Sequence, residues 1–266
     1  MFIIGEKINA TRKSIDAALR SRDASYLQEV AKAQEEAGAH ALDVNCGTFT
    51  AAEEPEVMKW LVETVQATTE LPLCIDSPNP GALAAGLARH KGKPVINSIS
   101  GESARYDNVL PLVKQYNAAV VALCNDDRGL PSTKEMALEV GDSLVSRLVK
   151  DSVPIDDIYL DPLVRTLATS PETVVDTLEV MRELSHCFPG LHFVSGLSNV
   201  SYGLPERRFL NRAFVVMSIA YGLDAVIVDP LDKQLVAMIY ASEALLSKDR
   251  YCLEYIKAFH NGKLKD

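Results

Sequence analysis

Carboxylates and carboxamides stand just after, or at the end of, eight short apolar runs. Glu6 and Asn9 follow Phe2 to Gly5, and Asp43 and Asn45 lie in the run Ala41 to Asn45. Asp76 follows Leu73 to Ile75, Asn97 and Ser98 follow Val95 to Ile96, and Asn125 and Asp126 follow Ala119 to Leu123. Asp161 follows Ile158 to Leu160, Asn199 follows His192 to Val194, and Asp229 follows Ala225 to Val228. Ionised carboxylates only accept hydrogen bonds, whereas amides donate and accept. Such a set suits a flat heterocycle with an amino-lactam edge. Two carboxylates could instead chelate a metal or work as an acid and base pair. The five histidines (His40, His90, His186, His192, His260) all fall in helices, loops or mid-strand, which weakens both alternatives. No metal is expected. Neither a Gly-rich phosphate loop nor a run-ending Lys suited to a Schiff base is present.

Taken singly, each of these residues has an ordinary explanation. Asn199, in Gly196-Leu197-Ser198-Asn199-Val200-Ser201, could be a turn residue tolerant of left-handed backbone. Asp43 could hold the first loop or cap a neighbouring backbone, and Asp126-Asp127 could face solvent or begin a turn. Asp76 is more informative, because Asn79 in Ser77-Pro78-Asn79-Pro80 is the better helix cap and leaves Asp76 free. Asp161 precedes Pro162, where the backbone is extended and a helix cannot start at once.

What would gather these residues is the alternation around them. Each apolar run is followed by a helical pattern, and eight strand-then-helix units predict a closed parallel (β/α)8 TIM barrel formed by one domain over residues 1–266. Strand-end residues then converge on one rim, where such barrels place function. Helices are expected over Ser25 to Gly38, after Asn79-Pro80, after the Ser170-Pro171 cap, over Ala213 to Gly222 with Pro205-Glu206-Arg207-Arg208 opening it, and over Leu231 to Leu246. A last helix, about Tyr251 to Phe259, precedes a polar tail expected to fray.

Bulk properties narrow the partners. The chain has 266 residues, 47% of them hydrophobic and 24% charged, which allows a sizeable core. A formal charge of −9 without a basic stripe argues against nucleic acid. No apolar run nears the roughly 20 residues of a membrane span. Met1 to Glu6 reads as a first strand rather than a secretory leader. Five cysteines without paired spacing suit a reducing cytoplasm.

Ile4-Gly5-Glu6-Lys7-Ile8-Asn9, Leu42-Asp43-Val44-Asn45, Ile75-Asp76-Ser77, Ile96-Asn97-Ser98, Leu160-Asp161-Pro162 and Gly196-Leu197-Ser198-Asn199-Val200-Ser201 resemble, in order and spacing, the methyltetrahydrofolate:corrinoid methyltransferases of the pterin-binding, dihydropteroate synthase-like barrel superfamily. The last motif is the most specific, and the match runs nearly end to end. No cobalamin-binding or homocysteine module is fused to it. The resemblance implies that Asp76, Asn97 and Asp161 hold the pterin edge, that Asn199 reaches N5, and that Gly196, Ser198, Tyr202, Arg207, Glu6 and Asp43 complete the folate site. It implies tetrahydrofolate or its 5-methyl form as substrate, a separate corrinoid (cobalamin) protein as partner, and a homodimer. Tyr202 stands where the family often carries an amide. Arg207 and Arg208 could meet the folate's glutamate carboxylates, close the amino end of their helix, or pair with Glu206. Tyr202, Phe49 and Tyr106 could wall the mouth or pack loops. Dihydropteroate synthase shares the barrel, but its loop 1 and its basic residues for pyrophosphate and p-aminobenzoate are not found at the matching places.

Overall fold

In the computed structural model, which describes residues 1–264, eight parallel strands close into a barrel in chain order. The strands are β1 Phe2–Asn9, β2 Ala41–Asn45, β3 Leu73–Asp76, β4 Val95–Ser100, β5 Ala119–Leu123, β6 Ile158–Asp161, β7 His192–Gly196 and β8 Ala225–Val228. Ten helices accompany them: α1 Lys13–Ser21, α2 Ala24–Glu36, α3 Glu54–Gln66, α4 Pro80–Leu87, α5 Ser103–Gln115, α6 Lys134–Lys150, α7 Thr173–Cys187, α8 Arg207–Ala220, α9 Lys233–Leu245 and α10 Leu253–His260. Helices α2 to α9 are the eight crossovers, and α1 and α10 are additions.

The period of two along each strand sorts the side chains. One parity packs against the helices: Leu42, Val44, Ile75, Ile96, Val120, Ala122, Ile158, Leu160, Phe193, Val226 and Val228 belong to the large outer core. The other parity fills the barrel with Ile4, Ala41, Cys74, Val95, Ala119, Val121, Val194 and Ala225, at least one from every strand but β6, which contributes the partly buried Tyr159. These are mostly small residues, as the narrow interior of an eight-stranded barrel requires. Two residues further along the same inward parity come Glu6, Asp43, Asp76, Asn97, Asp161, Gly196 and, through Ile227, Asp229. Strand alternation therefore delivers the polar residues to the carboxyl-end layer directly above the apolar plug. At the opposite end Tyr159 stacks on His192 with centroids 4.8 Å apart, and His192 Nδ1 lies 2.7 Å from Asp224.

The boundaries depart from expectation where local signals are weak. Strand β1 runs on to Asn9 past an irregularity between Gly5 and Ile8, so Glu6 lies inside it. Helix α1 carries no side-chain cap and has no counterpart in the sequence reading. Helix α7 starts at Thr173, because Ser170 and Thr173 close a turn through backbone and Ser170 does not cap. Asn79 caps α4 by accepting from Gly81 N at 2.9 Å, as expected. The tail does not fray through Leu264: Asn261, Gly262 and Lys263 donate back to Lys257, Phe259 and Ala258, and its last two residues lie outside the described range. No helix among the described residues is long and apolar enough to cross a membrane.

Candidate active site

The floor of the barrel mouth is built on β2, β3 and β4, whose registers pair Asn45 with Asp76 and Asp76 with Asn97. Asn45 Nδ2 donates to one Asp76 oxygen at 2.9 Å while its own carbonyl accepts from Gly47 N at 3.0 Å. That amide is fully committed, and it leaves the other Asp76 oxygen as an acceptor. Asn97 Nδ2 donates to Asp43 Oδ1 at 3.3 Å, so the Asn97 carbonyl is left for a donor. Asp43 itself is 2% exposed, one layer deeper, level with Cys74. Burial, and then the neighbouring Asp76, push its carboxyl well above the usual carboxylate range. Burial raises Asp76 as well, against the Asn45 hydrogen bond and the charge of Arg105, which lower it.

On the far side Asp161 is buried, accepts from Leu163 N at 2.8 Å, and takes a further backbone hydrogen bond from Gly196. Burial dominates nonetheless and pushes its carboxyl up to about 6. Asp161 thus ties the end of β6 to the start of the loop carrying Asn199. That loop is a 3-10 turn, Leu197–Ser201. Asn199 is exposed, its amide nitrogen lies over Gly196, and its side chain has no hydrogen-bond partner among the described residues. The turn beneath it is pinned from both sides. Leu167 N donates to Val200 O at 3.0 Å and Thr166 Oγ1 to Tyr202 O at 2.6 Å, while Ser201 Oγ donates to Asn211 at 2.7 Å.

Arg207 completes that brace, donating to Ser201 Oγ at 3.0 Å and to Ser198 O at 2.6 Å. It is bound to the turn instead of meeting a ligand carboxylate, pairing with Glu206 or simply closing its helix. Tyr106 does not wall the mouth: it is 0% exposed between α5 and α6, its hydroxyl on Asp151 at 2.9 Å and its ring under Arg147. Phe49 packs on the core beneath Arg20, whereas Tyr202 is 71% exposed beyond the 3-10 turn. Asp126 and Asp127 form a turn, with Arg128 on the first and Ser103 on the second. Glu6 receives Arg12 at 3.0 Å, burial raises its carboxyl, and it lines a cavity of about 70 Å³ with Ser198, Asn211 and Asp229.

Sequence reasoning missed three supports. Arg105 reaches from α5 to the carbonyls of Ser98, Pro78 and Ser77, fixing the two loops that carry Asp76 and Asn97. Buried Glu54 accepts from Ser77 Oγ at 2.6 Å. Asn45, noted as a strand end, turns out to orient Asp76. None has a local signature, because each acts on a neighbouring unit of the barrel.

Chemically the floor is a set of acceptors, Asp76, Asn97 and Asp161, faced by one uncommitted amide. It fits a flat ligand with several N–H donors along one edge and a basic nitrogen on the other. The sequence profile of the pterin binding enzymes matches residues 5–229. The chain belongs to that family. This pterin-binding barrel is 36% identical over 266 residues, 99% of its own length and 98% of the relative's, to a methylcorrinoid:tetrahydrofolate methyltransferase of Eubacterium limosum. It is 32% identical over 241 residues to the methionine synthase of Mycobacterium tuberculosis, of which it spans only 20%. A solved Yersinia pestis dihydropteroate synthase with a sulfonamide drug complex superposes with a TM-score of 0.71, covering 93% of this chain and 94% of that one at 18% identity. That likeness speaks for the fold alone.

Proposed function

We propose that this pterin-binding barrel is a methyltransferase that moves a methyl group between N5 of tetrahydrofolate and the cobalt of a corrinoid carried by a separate protein. The observation that carries this reading is the end-to-end 36% identity to a methylcorrinoid:tetrahydrofolate methyltransferase, on a mouth with acceptors opposite one free amide. The favoured direction is from methylcorrinoid to tetrahydrofolate in a demethylation sequence, and the step is reversible.

Asp76, Asn97 and Asp161 take the donors of the pterin's amino-lactam edge. Asp43 holds Asn97 with its carbonyl available, and Gly196 and Ser198 shape the turn that presents Asn199. Arg207 acts through that turn, and Tyr202 flanks it. In the forward step the N5 lone pair forms the N–CH3 bond as the Co–C bond breaks. The bonding pair stays on cobalt, and the proton that N5 sheds passes to solvent. The cavity beside Glu6 is large enough to hold water on that side of the ring. In the reverse step a methyl on a tertiary amine is a poor leaving group, and N5 needs positive character. Asn199 has no labile proton near neutral pH, so it orients N5 and stabilises charge developing there.

The decisive test mixes the protein with methylcob(III)alamin and tetrahydrofolate and follows cobalt absorbance together with 5-methyltetrahydrofolate. Formation of both cob(I)alamin and methylfolate supports the reading. Condensation of p-aminobenzoate with a pterin pyrophosphate, without methyl transfer, would make it a dihydropteroate synthase. Binding without either reaction would leave a folate-binding barrel.

A homodimer follows from the outer helices. Helix α8 exposes Phe209, Val216 and Met217 and helix α9 exposes Met238 and Leu245, with Tyr255, Ile256 and Phe259 of α10 alongside. Solvent-facing stripes of this kind mark association surfaces. The cysteines are free, Cys46, Cys74 and Cys124 being buried, which supports a cytoplasmic setting.

A further inference from the structure

A second polar cavity, of about 450 Å³, opens beside the Asn199 turn. It is lined by Arg208 and Arg212 from the first turns of α8 and by Asp229, Leu231, Asp232 and Lys233 from the end of β8 and the start of α9. Its two carboxylates are engaged, Asp229 by Lys7 at 2.9 Å and Asp232 by Arg212 at 2.7 Å. Arg212 keeps a buried Nε without a partner. Among the described residues the side chains of Arg208 and Lys233 make no hydrogen bond or ion pair. With Lys7 counted, four cations face two carboxylates, in a chain whose net charge is −9. Cations held together without counter-ions are a local electrostatic feature suited to an anionic ligand.

The chemistry of the folate says which anion arrives there. Strands β3, β4 and β6 hold the amino-lactam edge through Asp76, Asn97 and Asp161, so the opposite edge of the ring faces β7, β8 and β1. N5 lies on that edge, and its ring neighbour C6 carries the p-aminobenzoyl arm. The arm therefore leaves over the rim between β7 and β8, where this cavity stands. We propose that the cavity around Arg208 and Lys233 receives the γ-linked glutamyl carboxylates of the folate tail, which makes polyglutamylated folates the preferred substrate class. The inference rests on the methyltransferase reading above. Each added glutamate brings another carboxylate toward Arg208 and Lys233, and Arg212 Nε is a further donor.

The test compares binding of tetrahydrofolate monoglutamate and triglutamate to the wild-type protein and to the double variant Arg208→Ala/Lys233→Ala, with Tm checked for both proteins. The wild type is expected to bind the triglutamate about tenfold more tightly, an advantage that shrinks as salt is raised. In the double variant the ratio falls below about twofold. Equal affinities in the wild type, or an advantage that survives in the variant, overturn the proposal while leaving methyl transfer to the monoglutamate intact. Failure of either folate to bind sinks the parent reading instead.

Discussion

Asp161 shows how one side chain can serve the site at the expense of the fold. Its carboxyl, ordinarily near 3.8, is pushed up to about 6 by burial. A carboxyl raised in the folded state favours folding while protonated, and that contribution is lost as pH rises from about 4 through about 6. Asp161→Asn should therefore raise stability by on the order of 2 kcal/mol at pH 8 and by almost nothing at pH 4, as read by chemical denaturation at the two values. The same variant should bind tetrahydrofolate poorly, since it exchanges an acceptor for a donor. In the native protein folate affinity should weaken as pH falls below about 6, because the ionised form receives the ligand's N–H groups. Asn199→Ala is expected to lower kcat/KM by at least about tenfold, roughly 1.4 kcal/mol, in a protein that melts normally. A smaller loss in folded protein would remove Asn199 from the chemistry. At this scale the strand-end acids and amides were legible in the sequence, since period-two alternation sends them all to one layer. The roles of Arg207 and Tyr106 were not. Which partner a long side chain selects, Ser198 and Ser201 for one and Asp151 for the other, depends on neighbours that only the closed barrel brings near.

Elements position the site through a few close approaches. The turn Leu197–Ser201 is held by Arg207 from α8 and by Thr166 and Leu167 from the preceding loop. Arg207→Ala removes hydrogen bonds from a cation to Ser201 and to a backbone carbonyl, for about 1 kcal/mol of stability. Its larger effect should be on the turn: amide hydrogen exchange over residues 197–204 should quicken, and kcat should fall although Arg207 touches no substrate. Unchanged exchange there would deny the brace its role. On the other side, a Cβ at Gly86 would lie 2.9 Å from Met58 Cγ and 3.2 Å from Ile75 Cγ2, so α4 can lie on α3 and β3 only without a side chain at that position. Gly86→Val should cost about 1–3 kcal/mol through overpacking. It should also weaken folate binding, because Ile75 cannot yield without moving Asp76; a thermal melt and a binding titration check both. The eight units and the Asn79 cap were readable from local patterns. Helix α1 was not, lacking a side-chain cap, and the late start of α7 reflects a backbone turn that no residue type announces.

For the whole molecule, closure of the barrel turns residues scattered from Glu6 to Asp229 into one mouth, and the exposed apolar stripes of α8, α9 and α10 offer a surface away from its chemistry. Sedimentation should find a dimer, and Val216→Asp with Met238→Asp should yield folded monomers; a wild-type monomer at micromolar concentration would contradict this. The central claim is that a reduced pterin lies on the acceptor floor with N5 toward strand β7, and a crystal structure of the tetrahydrofolate complex tests it most directly. The amino-lactam edge is predicted within hydrogen-bond distance of Asp76, Asn97 and Asp161, with the Asn199 amide at N5. A ring bound outside the mouth, or turned so that N5 faces Asp76, would contradict the account.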